Sequence, residues 1–266
     1  MIDSHCHLNL PPLNVDLDEV ISSAKQKGIT RILLPGITVS SWAVQKEISQ
    51  RYCDQLPIDL ALGLHPYFLA KTRLSQLNSS NDEYHQLEQA IDDLTYAVKA
   101  VGETGLDAVI DVPLEIQKDV LDKHLAIASN AKLPVILHHR KSHHLLFEAL
   151  KKRRFQYGGV VHGFSGSIDV AKRYIDMGFS LGVGGTITYQ RARKTRDTVA
   201  HLLKHQLDSV LLETDAPDMP MWGRQGQCNK PEYLVDVVNV LCGLGDCSAE
   251  HIISATTNNY TRLFLG

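Results

Sequence analysis

Eight short apolar runs, each followed by amphipathic sequence, constrain this chain more than any other feature. The runs span 1–5, 31–34, 58–64, 100–102, 135–138, 159–161, 179–183 and 210–212, and several carry Val, Ile or Leu at both alternate positions. A strand that is apolar on both faces must be covered on both, as in a parallel sheet clothed by helices. Between the runs a helical period recurs. Leu17, Val20, Ile21 and Ala24 share one face, with Gly28 placed to end the helix. Leu87, Ala90, Ile91 and Leu94 repeat the pattern, as do Leu234, Val237, Val238 and Leu241. Pro113 stands near the start of the next long helix, where its missing N–H costs little. Eight such units in 266 residues predict an α/β fold, a (β/α)8 TIM barrel forming one domain over 1–266. An open doubly wound sheet is the alternative, but it usually carries a Gly-rich phosphate loop where this chain has HCHLNLPP. The polar stretch 71–82 and the Gly/Pro-punctuated stretch 216–230 read as loops of that domain.

Composition narrows the class. With 44% hydrophobic residues the chain can bury a sizeable core. A net charge of −3 gives no basic field over the whole surface, although a local cleft can bind phosphate without one. Five scattered cysteines without a CxxC pair argue against a disulfide framework or a thiolate zinc site, so a reducing, cytoplasmic setting is expected. No basic-then-apolar leader opens the chain, and no apolar run nears the roughly 18 residues a membrane span needs. No membrane and no obligate protein partner are expected.

The polar residues fall at the run ends. His5 and His7 close the first run, His65 the third, Glu103 the fourth, His138 the fifth, His162 the sixth and Asp215 the eighth. In a parallel barrel all these ends meet at one face, the face that carries active sites. His5 and His7 are two apart on extended chain, so they point the same way and can grip one metal, while Cys6 points elsewhere. Imidazole and carboxylate donors suit one or two divalent ions, Zn, Mn, Mg or Co. Glu103 is placed to bridge two metals with its two oxygens, and Asp215 to take a proton from an acidified water. Glu213 shares Asp215's side but lies deeper. The basic run Arg191, Arg193, Lys194 follows the seventh strand on the active face and suits a phosphate clamp. Arg140 ends the HHR of strand five. Trp222 and Arg224, in the loop after strand eight, can stack on and pair with a nucleotide. His139 should face away from the site, and His143 and His144 read as surface residues.

IDSHCHL, ALGLHP, VGETGLD, PVILHHR, GVVHGFSGS, LLETDAPDMP and the closing NNYTRLF together resemble the TatD family of metal-dependent deoxyribonucleases; GVGGTITY with RARKTR, and GRQGQCNKPE, look closest to its YjjV-like branch. The resemblance implies a metal-dependent-hydrolase barrel that cleaves phosphodiester bonds in DNA. It implies His5 and His7 on the first metal, Glu103 shared, and His138 and His162 on the second. Asp215 would be the catalytic aspartate that also binds metal, and His65 would contact the substrate phosphate. Two departures touch substrate contacts: Tyr67 replaces a second histidine after GLHP, and Cys228 and Lys230 alter the loop after strand eight. A small-molecule phosphoesterase, lactonase or amidohydrolase using the same metals is the alternative. Such enzymes often bridge metals with a carbamylated lysine, however, and Lys99 lies at the wrong end of strand four. A third reading is a metal-binding module without turnover.

Overall fold

A computed structural model of the chain describes residues 1–69 and 81–266. Eight strands form one sheet in the order β1 to β8: Ile2–Asp3, Arg31–Pro35, Ile58–Leu62, Val98–Asp107, Val135–Arg140, Gly159–Val161, Phe179–Val183 and Val210–Leu212. Every neighbouring pair is parallel. The helices among the described residues are α1 Leu17–Gln26, α2 Val39–Tyr52, α3 Asn81–Asp92, α4 Leu114–Ala131, α5 His143–Arg153, α6 Ile168–Asp176, α7 Arg193–His205, α8 Leu234–Gly245 and α9 Ala249–Phe264. This is the TIM barrel expected from the alternation. None of these helices is long and apolar enough to cross a membrane.

The barrel closes between its first and last strands by backbone bonds that run beyond the strands themselves. Ser4 N donates to Leu212 O (2.8 Å), Asp215 N to His5 O (2.9 Å) and His7 N to Ala216 O (2.7 Å). A carboxylate latch crosses the same seam. Asp3 accepts from Thr214 N at 3.0 Å and from Thr214 Oγ1 at 2.6 Å.

Strand alternation sorts the core into two layers. Ile32, Leu34, Leu60, Leu62, Val135, Leu137, Val161 and Leu212 pack outward under the helices. Leu33, Ala61, Ala100, Ile136, Val160 and Leu211 form a separate inner cluster, which Tyr260 and Phe264 of α9 join. The closing NNYTRLF thus plugs the barrel. Tyr260 Oη donates to Asp59 Oδ2 (2.6 Å), whose other oxygen pairs with Arg31 (2.7 Å). Asn259 Nδ2 donates to Leu207 O and Val210 O.

Several boundaries differ from expectation: the first and third strands stop short at Asp3 and Leu62, and β5 runs on to Arg140. β4 does not stop at Gly102 but runs on to Asp107, because Gly102 and Gly105 (φ 153° and 151°) let extended chain pass close to β5. A Cβ on Gly105 would lie 2.1 Å from His138 O. α3 ends at Asp92, so Leu94 lies beyond it and is exposed. There the Asp93 carboxylate accepts from Thr95 N (2.9 Å) and turns the chain. Of the stretch 71–82 read as a loop, residues 71–80 lie outside the described residues, and 81–82 open α3.

Candidate metal centre

The inner face carries its chemistry one step above its apolar layer. Ile136 is followed two residues later by His138, Val160 by His162 and Leu211 by Glu213. Residues two apart on a strand share a face, so each of these three inner side chains has a polar group stacked over it. Glu103 reaches the same level from inside β4 and not from its end. The register with β5 shifts between Val101 and Thr104, and Glu103 N is held by Gly36 O at 2.8 Å.

The two oxygens of Glu103 divide the site. Oε2 lies 3.0 Å from His5 Nε2 and 3.5 Å from His7 Nε2. Asp215 Oδ1 stands 3.6 Å from both of those nitrogens, which are themselves 3.2 Å apart. Oε1 lies 2.7 Å from His162 Nε2, 3.1 Å from His138 Nδ1 and 3.1 Å from His65 Nε2. His138 Nδ1 and His162 Nε2 are 3.2 Å apart. The six residues expected to bind metal therefore meet in one cluster. Cys6 and His139 are not among them: Cys6 packs in the outer core, and His139 stacks on His143 at 4.2 Å.

These separations suit cations. At metal–ligand distances of 2.0–2.2 Å, adjacent donors of a tetrahedral or octahedral site stand roughly 2.8–3.6 Å apart. The observed donor separations span 2.7–3.6 Å. Pairs of imidazole nitrogens aimed at one another beside a carboxylate make poor hydrogen-bond geometry but a good ligand set. The far nitrogens of the second pair are buried without a hydrogen-bond partner, with carboxylates nearby: His138 Nε2 lies 3.6 Å from Asp107 Oδ2 and His162 Nδ1 3.9 Å from Glu213 Oε1.

His65 differs from the other histidines. Its Nδ1 accepts the Tyr67 N–H at 3.1 Å. The neutral ring therefore carries its proton on Nε2, which leaves no lone pair there for a metal. Burial, above all, draws its pKa down to about 4, so the ring stays neutral. It is a hydrogen-bond donor aimed into the centre. The segment before it is pinned by His124 of α4, whose Nε2 accepts from Leu64 N (3.0 Å).

The remaining groups respond to burial and to each other. Burial pushes Glu103 up, but the surrounding imidazoles outweigh it and hold the carboxyl well below its usual range. Burial pulls His162 down, yet the charge of Glu103 raises it to about 10. His5 falls well below its ordinary value, first through burial and then through His162. Asp215 is raised, mainly by burial, with Glu103 and Asp218 adding to the effect. Glu103 thus stays anionic, while Asp215 holds a proton more readily than an ordinary aspartate.

Asp215 takes a left-handed backbone (φ 58°), uncommon outside glycine and often kept where function requires it. The Thr214 latch precedes it, and Asn229 braces the loop that follows, donating to Thr214 O (2.8 Å) and Asp218 O (2.8 Å). Asp3, Asp107, Asn229 and Gly36 were not singled out from the sequence. Three of them stand within quoted motifs, Asp3 in IDSHCHL, Asp107 in VGETGLD and Asn229 in GRQGQCNKPE, but none was given a role.

The family model for TatD related DNase matches residues 2–265. The chain belongs to the TatD family. It is 44% identical over 264 residues to the uncharacterized metal-dependent hydrolase YjjV of Escherichia coli K12, covering 99% of this chain and 97% of that one. An uncharacterized metal-dependent hydrolase of Haemophilus influenzae is 38% identical over 269 residues, covering 98% of each. The crystal structure of E. coli YjjV, a TatD homologue, superposes with a TM-score of 0.90 at 42% identity, covering 100% and 98% of the two chains.

In this TatD-family chain the residues expected to meet substrate ring the centre unevenly. Arg140 is exposed, 3.9 Å from Asp107. Arg191, Arg193 and Lys194 are exposed around the start of α7, whose first turn has no acidic residue and no side-chain cap. Trp222 is exposed. Arg224 needs correcting as a free substrate contact, because its guanidinium pairs with Asp236 (2.9 Å) and stacks on Tyr233 (3.8 Å).

Proposed function

We propose that this metal-dependent hydrolase of the TatD family is a deoxyribonuclease that cleaves phosphodiester bonds. The reading rests on one observation: Glu103 presents one oxygen to His5 and His7 and the other to His138 and His162. Residues divided in this way would hold divalent ions on either side of the carboxylate. Those ions, held by His5, His7, Glu103, His138, His162 and Asp215, would stabilise charge on the phosphate and acidify water.

The chain's own groups supply the rest. The Asp215 carboxylate, 3.6 Å from His5 and His7 and raised by burial, would accept the proton of the water that attacks phosphorus and return it to the sugar oxygen as that oxygen's bond to phosphorus breaks. His65 Nε2–H donates to a non-bridging phosphate oxygen, and its fixed tautomer keeps the proton in place for that bond. Arg191, Arg193 and Lys194 have no carboxylate partner within ion-pair distance among the described residues, so their charge is free for neighbouring phosphates. At a helix start that already favours anions, three cations are costly unless an anion is bound there. Arg140 lies on the same rim beside Asp107 and serves as a further contact.

The test is turnover of metal-stripped protein restored with each divalent ion, on oligonucleotides, small phosphoesters and lactones in parallel. Oligonucleotide hydrolysis should return with metal and vanish in Asp215→Ala, which stays folded. Lactone or ester turnover with oligonucleotides untouched would reject the nuclease reading, and full activity of Asp215→Ala would remove that residue from the mechanism.

A further inference from the structure

The loops after β7 and β8 build a second feature beside the metal centre. Thr186, Tyr189, Arg191, Ala192, Met219 and Pro220 line a cavity of about 280 Å³. That is near the lower end of the roughly 300–1,000 Å³ typical of small-ligand sites. Thr186 and Met219 also line the narrow crevice that holds Asp215 and Glu213, so the cavity lies next to the centre. Its walls are tied down. Tyr189 Oη donates to Pro220 O (2.7 Å), Trp222 N to Thr188 Oγ1 (2.8 Å), and that hydroxyl to Gly185 O (2.6 Å).

The surface chemistry is specific. The Trp222 ring meets Tyr189 edge to face with centroids 5.7 Å apart, and the Arg191 guanidinium stands 5.0 Å from the Tyr189 ring centre. Trp222 is nonetheless 63% exposed, a large apolar face left in water next to a site. Tyr189, anchored through its hydroxyl, with Trp222 edge-on at the rim and a guanidinium beside it over Ala192, Met219 and Pro220, favours a flat heteroaromatic ring over an aliphatic chain or a bare sugar. Such surfaces stack any base, because every base has a π-face.

We propose that this ledge holds one unpaired nucleobase of the substrate beside the scissile phosphate. The inference rests on the phosphodiester reading and names what that site recognises besides phosphate. Tyr189 and Trp222 carry the base, while Arg191 spans the ring and the adjacent phosphate.

The experiment is a cycle on metal-loaded protein. A short single-stranded oligonucleotide carries one abasic residue, moved position by position, and is assayed with wild type, Trp222→Ala and Tyr189→Leu. At one position the abasic change should cost wild type about tenfold in kcat/KM, mostly through KM, and should cost either variant little. Additive losses at every position would overturn the ledge. Should no oligonucleotide be hydrolysed at all, the phosphodiester reading falls and the ledge is judged by binding alone. Trp42 is buried, so fluorescence quenching by solutes reports on Trp222. Saturable quenching by dAMP, absent with 2-deoxyribose 5-phosphate and weakened in Tyr189→Leu, upholds the ledge, and equal behaviour of the two ligands sinks it.

Discussion

Thr214→Val keeps the side chain's size and removes only its hydroxyl. That hydroxyl donates to Asp3 Oδ2 at 2.6 Å and accepts from Ala216 N at 3.2 Å, and both Asp3 and Thr214 are fully buried. The valine strips a partner from two buried polar groups across the β1–β8 seam. Each such loss costs about 1–3 kcal/mol, so with partial relaxation the sum is roughly 2–4 kcal/mol. An unfolding entropy of about 2.1 cal/mol/K per residue makes 1 kcal/mol worth roughly 2 °C at this chain length, which sets the fall in Tm at about 4–8 °C. The assay is calorimetric unfolding with chelator present, paired with titration of Mn²⁺ into the folded protein. Because the latch lies between His5 and Asp215 in the closing bonds, metal affinity should fall as well. A shift of no more than about 1 °C with unchanged affinity would mean that backbone bonds alone hold the seam, and the reasoning would be refuted.

Gly182→Ala would set a Cβ 2.0 Å from Glu213 Oε2. It should displace the carboxylate that accepts from Gly163 N, cost roughly 1–3 kcal/mol in urea unfolding, and weaken metal binding through His162; unchanged stability would show that Glu213 has room to move. Reversing Arg191, Arg193 and Lys194 to glutamate should cut oligonucleotide kcat/KM by about 100-fold at low salt and flatten its salt dependence, and a retained salt slope would place the phosphate path elsewhere. Tyr260→Phe removes a donor to Asp59 in the plug formed by α9. It should lower stability by about 1–3 kcal/mol without touching kcat/KM, and a lowered kcat/KM would couple the plug to the site.

The barrel was legible because periodicity survives in single sequences: runs apolar at both alternate positions belong to strands covered on both sides, and the helical faces fell between them. The positions of His5, His7, Glu103, His138, His162 and Asp215 were legible for a related reason, since each follows such a run. The extent of β4 was hidden because GETG looks like a strand end, whereas its glycines allow a close approach to β5. The supports were hidden for a different reason. Asp3, Asn229 and Gly36 act through contacts between segments up to 211 residues apart, so even where a motif contains them, as IDSHCHL does Asp3 and GRQGQCNKPE does Asn229, nothing local shows what they hold. Arg224 looked free because its partners Tyr233 and Asp236 lie past the loop, at the turn into α8.

Glu103 would join two cation positions. Anomalous scattering from crystals of the Mn²⁺-loaded protein measures this directly. Two peaks about 3.5–4 Å apart are predicted, one touching His5 and His7, the other His138 and His162, with one Glu103 oxygen on each. Manganese bound away from Glu103, or a single ion that leaves either histidine pair unligated at saturating metal, would contradict it.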